Sequence, residues 1–171
     1  MAVYSLFRND NPVSNTASWP YGGTAVYNRI PYLSGYAYCH NIHGIEVSVI
    51  EITSHEDWTI LGIYRSLKVP VRQLCQAMSE VLNGISLGNI IIVGDFNINW
   101  LIETERGPLH NLLVRSKHYQ QWISSHTTDH KTVLDHIYTN IIHLQVDIQT
   151  GVLETYFTDH KAVWTSTISW C

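Results

Sequence analysis

The tetrapeptide TDHK occurs twice, in TDHKTVLDHIYTN (Thr128 to Asn140) and in YFTDHKAVW (Tyr156 to Trp164). Each copy sets a carboxylate beside an imidazole, a pair able to ligate a metal and carry a proton. A further polar centre lies in IIIVGDFNINW, where Asp95 and Asn97 follow a run of aliphatic residues. An ionised Asp95 can deprotonate or orient a water, and the Asn97 amide can hold that water without competing for its proton. In an extended chain, residues two apart share one face, so both side chains would point into the same space. GDFN is equally readable as an Asx turn that closes a strand. His126 and His130 are four apart, the spacing of a zinc pair on a helix. Thr127, Thr128 and the β-branched run after them oppose a helix there, so zinc is not expected. His110, His118, His136 and His143 read as surface or satisfied structural histidines.

The elements that must position these residues are legible in part. The stretch to about Tyr21 is rich in Asn, Ser, Pro and Asp and reads mostly as loop. GGTAVYNRI enters a short strand through two glycines. IEVSVIEI (Ile45 to Ile52) and WTILGIYR (Trp58 to Arg65) read as adjacent antiparallel strands. After Pro70, the positions Val71, Leu74, Cys75, Met78, Val81 and Leu82 recur at helical spacing, with Asn83-Gly84 as a stop. NIIIVGDFN reads as a buried strand, because successive aliphatic residues leave no solvent face. PLHNLLVRS is a second, shorter helix, and YQQWI, VLDHIYT, HLQVDIQTGVL and KAVWTSTISW are strand-like. This order predicts an α/β or α+β sandwich of mostly antiparallel sheets flanked by helices.

The 171 residues suit a single domain, and 45% hydrophobic with 14% charged residues fit a folded chain. A net charge of −4 argues against nucleic-acid binding by bulk positive charge. An acidic centre that holds a divalent cation is not excluded, because the metal brings its own charge. Cys39, Cys75 and Cys171 are widely spaced with no CxxC pair, which fits a reducing compartment. With no bilayer-length apolar run and no secretory signal pattern, the expectation is an intracellular protein, nuclear or cytoplasmic, with no membrane partner.

GGTAVYNR, LGIYRS, IIIVGDFN, LDHIYT and TDHKAV, in that order, resemble the endonuclease/exonuclease/phosphatase superfamily. That is the DNase-I-like fold of apurinic endonucleases, retrotransposon endonucleases and related phosphatases. The five blocks span roughly Tyr21 to Trp164, and GGTAVY, IYRS and LDHIYTN are most similar to nuclease domains of mobile elements, retrotransposon or Helitron-like. The resemblance implies a metal-dependent phosphodiester hydrolase acting on DNA, or on RNA. Asp95 would orient or deprotonate the attacking water, Asn97 would bond that water or a phosphate oxygen, and Tyr64 would contact the scissile phosphate. Asp159 would help hold Mg²⁺ or Mn²⁺. His160 would stabilise the transition state, and Asp135 would hold its imidazole in the right tautomer. The ion would neutralise charge developing on phosphoryl oxygens. The first TDHK copy, with Asp129 and His130, reads as loop near the site rim, its match to the second a coincidence.

The superfamily pattern also has an early Asn and a Glu metal ligand upstream of the block resembling GGTAVYNR. Asn9, Asn11 and Asn15 are loop asparagines, and no Glu precedes Glu46. The expectation is therefore a single domain over 1–171 that lacks the N-terminal portion of the fold. It would hold its cation weakly, since hard cations depend on oxygen ligands, and would self-associate through an exposed sheet edge. Two alternatives follow: an inactive remnant that binds nucleic acid or protein, and a small-molecule or lipid phosphatase.

Overall fold

The computed structural model describes residues 5–9, 24–28, 34–42, 44–53, 57–86, 88–141 and 146–169; of 5–9, 26–28, 34–40, 53 and 169 it describes the main chain alone. Asn11, Asn15 and His143, read above as loop or structural residues, lie outside these. In chain order the elements are β1 (Ser5–Asn9), β2 (Thr24–Asn28), β3 (Ser34–Ile42), β4 (Ile45–Thr53), β5 (Trp58–Arg65), α1 (Val71–Gly84), β6 (Asn89–Asp95), α2 (Glu103–His110), β7 (Gln120–Gln121), β8 (Asp135–Thr139), β9 (Val146–Leu153) and β10 (Ala162–Ser169).

Six strands form one sheet in the order β3-β4-β5-β6-β8-β7, and β1-β2 and β9-β10 form two antiparallel pairs. Only β5 and β6 run parallel, joined through α1; the other pairs of the large sheet are antiparallel. The mostly antiparallel sandwich expected from the sequence is therefore the fold. Alternation sorts β5 cleanly, with Thr59, Leu61, Ile63 and Arg65 buried on one face. That face of β4, β5 and β6 meets Leu74, Ala77, Met78, Val81 and Leu82 of α1 in the larger core, with Leu109 and Leu113 beside them. On the opposite face, Ile91 and Ile137 join Ile123, Val133, Val146 and Ile148 in a second core under β9. β2 covers β4 and β5 on this second side, where Thr24 and Ser48 share a hydroxyl–hydroxyl hydrogen bond.

Four elements differ from the sequence expectations. β1 and β3 are strands where loop or nothing was expected. The second helix begins at Glu103, five residues before Pro108, and continues as a π-helical turn over Asn111–Ser116. Pro108 lacks an N–H and crowds the preceding turn, so the helix forgoes one main-chain bond there. YQQWI pairs only at Gln120 and Gln121. Among the described residues no helix is long and apolar enough to cross a membrane.

Candidate active site

Sheet register sets the site. Glu46 pairs with Tyr64, Tyr64 with Asp95, and Asp95 with Asp135, so one rung crosses β4, β5, β6 and β8. Residues paired on a rung project to the same face, here the face of the second core. Four polar side chains from segments far apart in sequence thus stand in a row at one end of the sheet. Tyr64, Asp95 and Asp135 were named from the sequence. Glu46, 1% exposed, was not, because a polar residue alternating with Ile45 and Val47 reads as solvent-facing.

The turn after β6 holds Asp95 in place. Gly94 sits at φ +151°, and a Cβ there would lie 1.9 Å from the Ile63 carbonyl oxygen, so only glycine fits. Asn97 adopts φ +50°, a left-handed conformation that asparagine tolerates better than most residues. Its main-chain N–H donates to Asp95 Oδ1 at 2.9 Å, an Asx turn. Its Nδ2 donates to Asp95 Oδ2 at 3.2 Å and to the Arg65 carbonyl at 2.7 Å. The Asx-turn reading of GDFN is therefore realised. The two side chains meet through a turn, however, and not along an extended strand. Both amide hydrogens of Asn97 are engaged, so in this arrangement it orients Asp95 while its Oδ1 remains an acceptor. Arg65, 4% exposed, fastens the same turn through Nε to the Phe96 carbonyl and Nη2 to the Asn97 carbonyl, both at 2.6 Å.

His160 reaches the rung from the loop before β10. Its Nδ1 lies 3.0 Å from Asp135 Oδ2, which fixes Nδ1–H as donor and leaves Nε2 as the second ring nitrogen available for chemistry. Burial favours the neutral ring, yet the charge and hydrogen bond of Asp135, with Asp95 and Asp159 beyond, carry the imidazole above its ordinary value. Burial also raises the Asp95 carboxyl, and the neighbouring Asp135 adds to this against the Asn97 N–H, His160 and Arg65. Asp135 is raised by burial too, opposed by hydrogen bonds from Thr127 and His160. Burial, then Asp95 and Glu46, raise the Tyr64 phenol, which keeps its proton as a donor. The result is an imidazole held by one carboxylate and lying near a second, both of which favour its charged form.

The two TDHK segments touch. Thr128 and His160 form an isolated antiparallel bridge, Asp129 N donates to the Asp159 carbonyl at 3.0 Å, and Lys161 N donates to the Thr127 carbonyl at 2.8 Å. The Thr127 hydroxyl accepts from Leu134 N and Asp135 N at 3.0 and 3.1 Å. Thr127 and Thr128 are buried, while Asp129 and His130 are exposed. The first copy is thus loop at the rim, as expected, and the second is laid against it through this isolated bridge. Thr127 went unnoticed in the sequence because a buried threonine in a turn has no periodic signal.

His136 is structural, as expected: Nε2 donates to the Ile98 and Val133 carbonyls, Nδ1 accepts from the Tyr138 hydroxyl, and the ring stacks on Phe96. Asp159 is exposed next to His160. Among the described residues no three His, Cys, Asp or Glu are gathered as a metal cage. Asp159, the ligand that the resemblance implies, is one exposed carboxylate, which is no closed cation site.

No family model matches the sequence, and no curated relative matches it. Solved structures do match the fold. An endonuclease/exonuclease/phosphatase family protein from Leptotrichia buccalis is 15% identical with a TM-score of 0.69, covering 98% of this chain and 72% of that one. The endonuclease domain of TRAS1, a telomere-specific non-LTR retrotransposon, is 16% identical with a TM-score of 0.70, covering 97% and 78%. A mannosyl-6-phosphatase from Bacteroides thetaiotaomicron is 13% identical with a TM-score of 0.59, covering 94% and 77%. The chain has the fold of the endonuclease/exonuclease/phosphatase superfamily, the family that its five sequence blocks resemble.

Proposed function

We propose that the chain is a phosphodiester hydrolase of endonuclease type acting on DNA. The observation that carries this is the Asp135–His160 pair at 3.0 Å with Asp95 one rung position away. Water attacks the phosphorus and the bond to the leaving oxygen breaks, that oxygen departing as an alkoxide that takes a proton from solvent. Asp95 takes the proton released by the water. The His160 imidazolium, held by Asp135, hydrogen-bonds a phosphoryl oxygen through Nε2, and Tyr64 donates its hydroxyl to the same group. Mg²⁺ or Mn²⁺ would supply charge neutralisation at the phosphoryl oxygens, with Asp159 as a donor. A single carboxylate holds such an ion weakly.

The likeness to a retrotransposon endonuclease domain supports DNA over a sugar phosphate, although a phosphatase shares the fold. The test is nicking of supercoiled plasmid at millimolar Mg²⁺ or Mn²⁺. Asp95→Ala and His160→Ala should each abolish it, and His130→Ala should leave it largely intact. Absence of nicking by the wild-type protein at high protein and metal concentration would sink the proposal and favour the binding-module alternative.

A further inference from the structure

Tyr156 and Phe157 are 96% and 89% exposed, two adjacent aromatic rings given almost wholly to water. They form the tip of the loop that carries Asp159 and His160. The base of that loop is tied twice. Thr155 Oγ1 donates to the His160 carbonyl, and Lys161 Nζ pairs with Glu154 Oε1 at 2.6 Å. Asp159 is in turn fastened through its carbonyl to Asp129 N. The rings therefore hang from a braced loop and not from a free tail.

Phe157 is three residues from His160, so their Cα atoms are at most about 11 Å apart. A strand advances roughly 3.4 Å per phosphate along a helix axis. A phosphate at His160 would therefore leave its flanking bases, within about three nucleotides, in reach of the two rings. The chain also has 10 Lys and Arg against 14 Asp and Glu. Counterion release gives it little hold on a polyanion, so affinity must come from contacts that charge does not govern. Stacking on an aromatic ring is such a contact, and it needs a base face that an intact duplex hides.

We propose that Tyr156 and Phe157 are a stacking platform for unpaired bases of a nucleic-acid strand whose phosphate lies at His160. This rests on the phosphodiesterase reading for its substrate class. It adds a preference for single-stranded or locally unpaired sites.

The test uses the full chain and a single-stranded oligonucleotide carrying 2-aminopurine, whose fluorescence stacking quenches. Wild type should quench it, and the duplex form should bind more weakly. The double variant Tyr156→Ala with Phe157→Ala should bind roughly 10- to 100-fold more weakly, the range expected for lost base–aromatic stacking. Its thermal midpoint should be unchanged, since neither ring is packed, and Trp at both positions should restore quenching. Equal affinity of the double variant, failure of wild type to quench, or equal binding of duplex and single strand would overturn the platform. Plasmid nicking is read in parallel and separates the two claims. Quenching that depends on the rings without any nicking supports the platform and removes the hydrolase reading. Nicking with ring-independent binding does the reverse.

Discussion

Acid should destabilise this protein in part through His136. The buried ring is satisfied as a neutral species, with Nε2–H shared between Ile98 O at 3.0 Å and Val133 O at 3.1 Å and Nδ1 accepting from Tyr138 at 2.9 Å. Burial lowers its pKa from 6.5 to about 4, against the two carbonyls that favour the charged form. The unfolded chain takes up this proton near 6.5 and the folded chain only near 4, so stability falls as pH falls between them. At 1.36 kcal/mol per pKa unit, the full loss is roughly 3 kcal/mol, of which roughly 2 kcal/mol is reached by pH 5. Asp95 and Asp135 have raised pKa values and contribute the opposite slope, gaining stability on acidification. The wild-type curve alone therefore mixes signs.

His136→Phe isolates the histidine. Phenylalanine can keep the stack on Phe96, whose ring centroid is 4.9 Å away, but cannot titrate. The variant loses its hydrogen bonds at every pH and should be less stable at pH 7.5. At pH 5 the gap to wild type should shrink by roughly 2 kcal/mol. Urea unfolding reads this directly. With m of about 2 kcal/mol/M, the two midpoints should approach by roughly 1 M between the two pH values. A gap of the same size at both would refute a buried neutral His136. The residue also matters to the site, because it ties the Ile98 carbonyl after Asp95 to the Val133 carbonyl before Asp135.

Gly94→Ala should cost about 3 kcal/mol or more in chemical denaturation, since its Cβ would meet a main-chain oxygen that cannot turn aside. Gly84→Ala, with nothing within 4 Å, should change stability by no more than about 1 kcal/mol. Asp135→Asn removes both the charge and the carboxylate acceptor that raise His160. The alkaline limb of the nicking profile should then move to lower pH, so that activity falls more at pH 8 than at pH 6. An unmoved limb would show that protonated His160 is not the donor to the phosphoryl oxygen.

Where side-chain pattern and burial coincide, the sequence is transparent. WTILGIYR alternates and is β5 to the residue; VRQLCQAMSEVL repeats at helical spacing and is α1. SGYAYCHNI alternates as well, but glycine, alanine and aromatic residues side by side give little hydrophobic contrast, and β3 escaped notice. Gly107-Pro108 reads as a break, yet it lies inside α2, whose first turn carries Glu103 and Glu105 in favour of the helix dipole. The site is a different case. Asp95, Asp135 and His160 are brought together by pairing of β6 with β8 and by a loop bridge, long-range events that no local spacing encodes. Family resemblance named those residues. It did not supply Glu46, buried because the sheet is covered on both faces, or Thr127, whose role lies in its hydrogen bonds.

The repeated TDHK shows how far composition can mislead in either direction. Equal chemistry for both copies would require equal surroundings, and the surroundings differ. His130 is exposed, while His160 is half-buried with its Nδ1 on Asp135. The first copy nonetheless has a structural part. The main chain from Thr127 to Asp129 holds that from Asp159 to Lys161 through two N–H to carbonyl bonds, and the Thr127 hydroxyl holds the Asp135 main chain. A carboxylate that orients an imidazole must itself be oriented, and here both partners are anchored on the same three residues. In the proposed hydrolase the second copy supplies the reacting imidazole, and the first supplies the edge that holds His160 and Asp135 together.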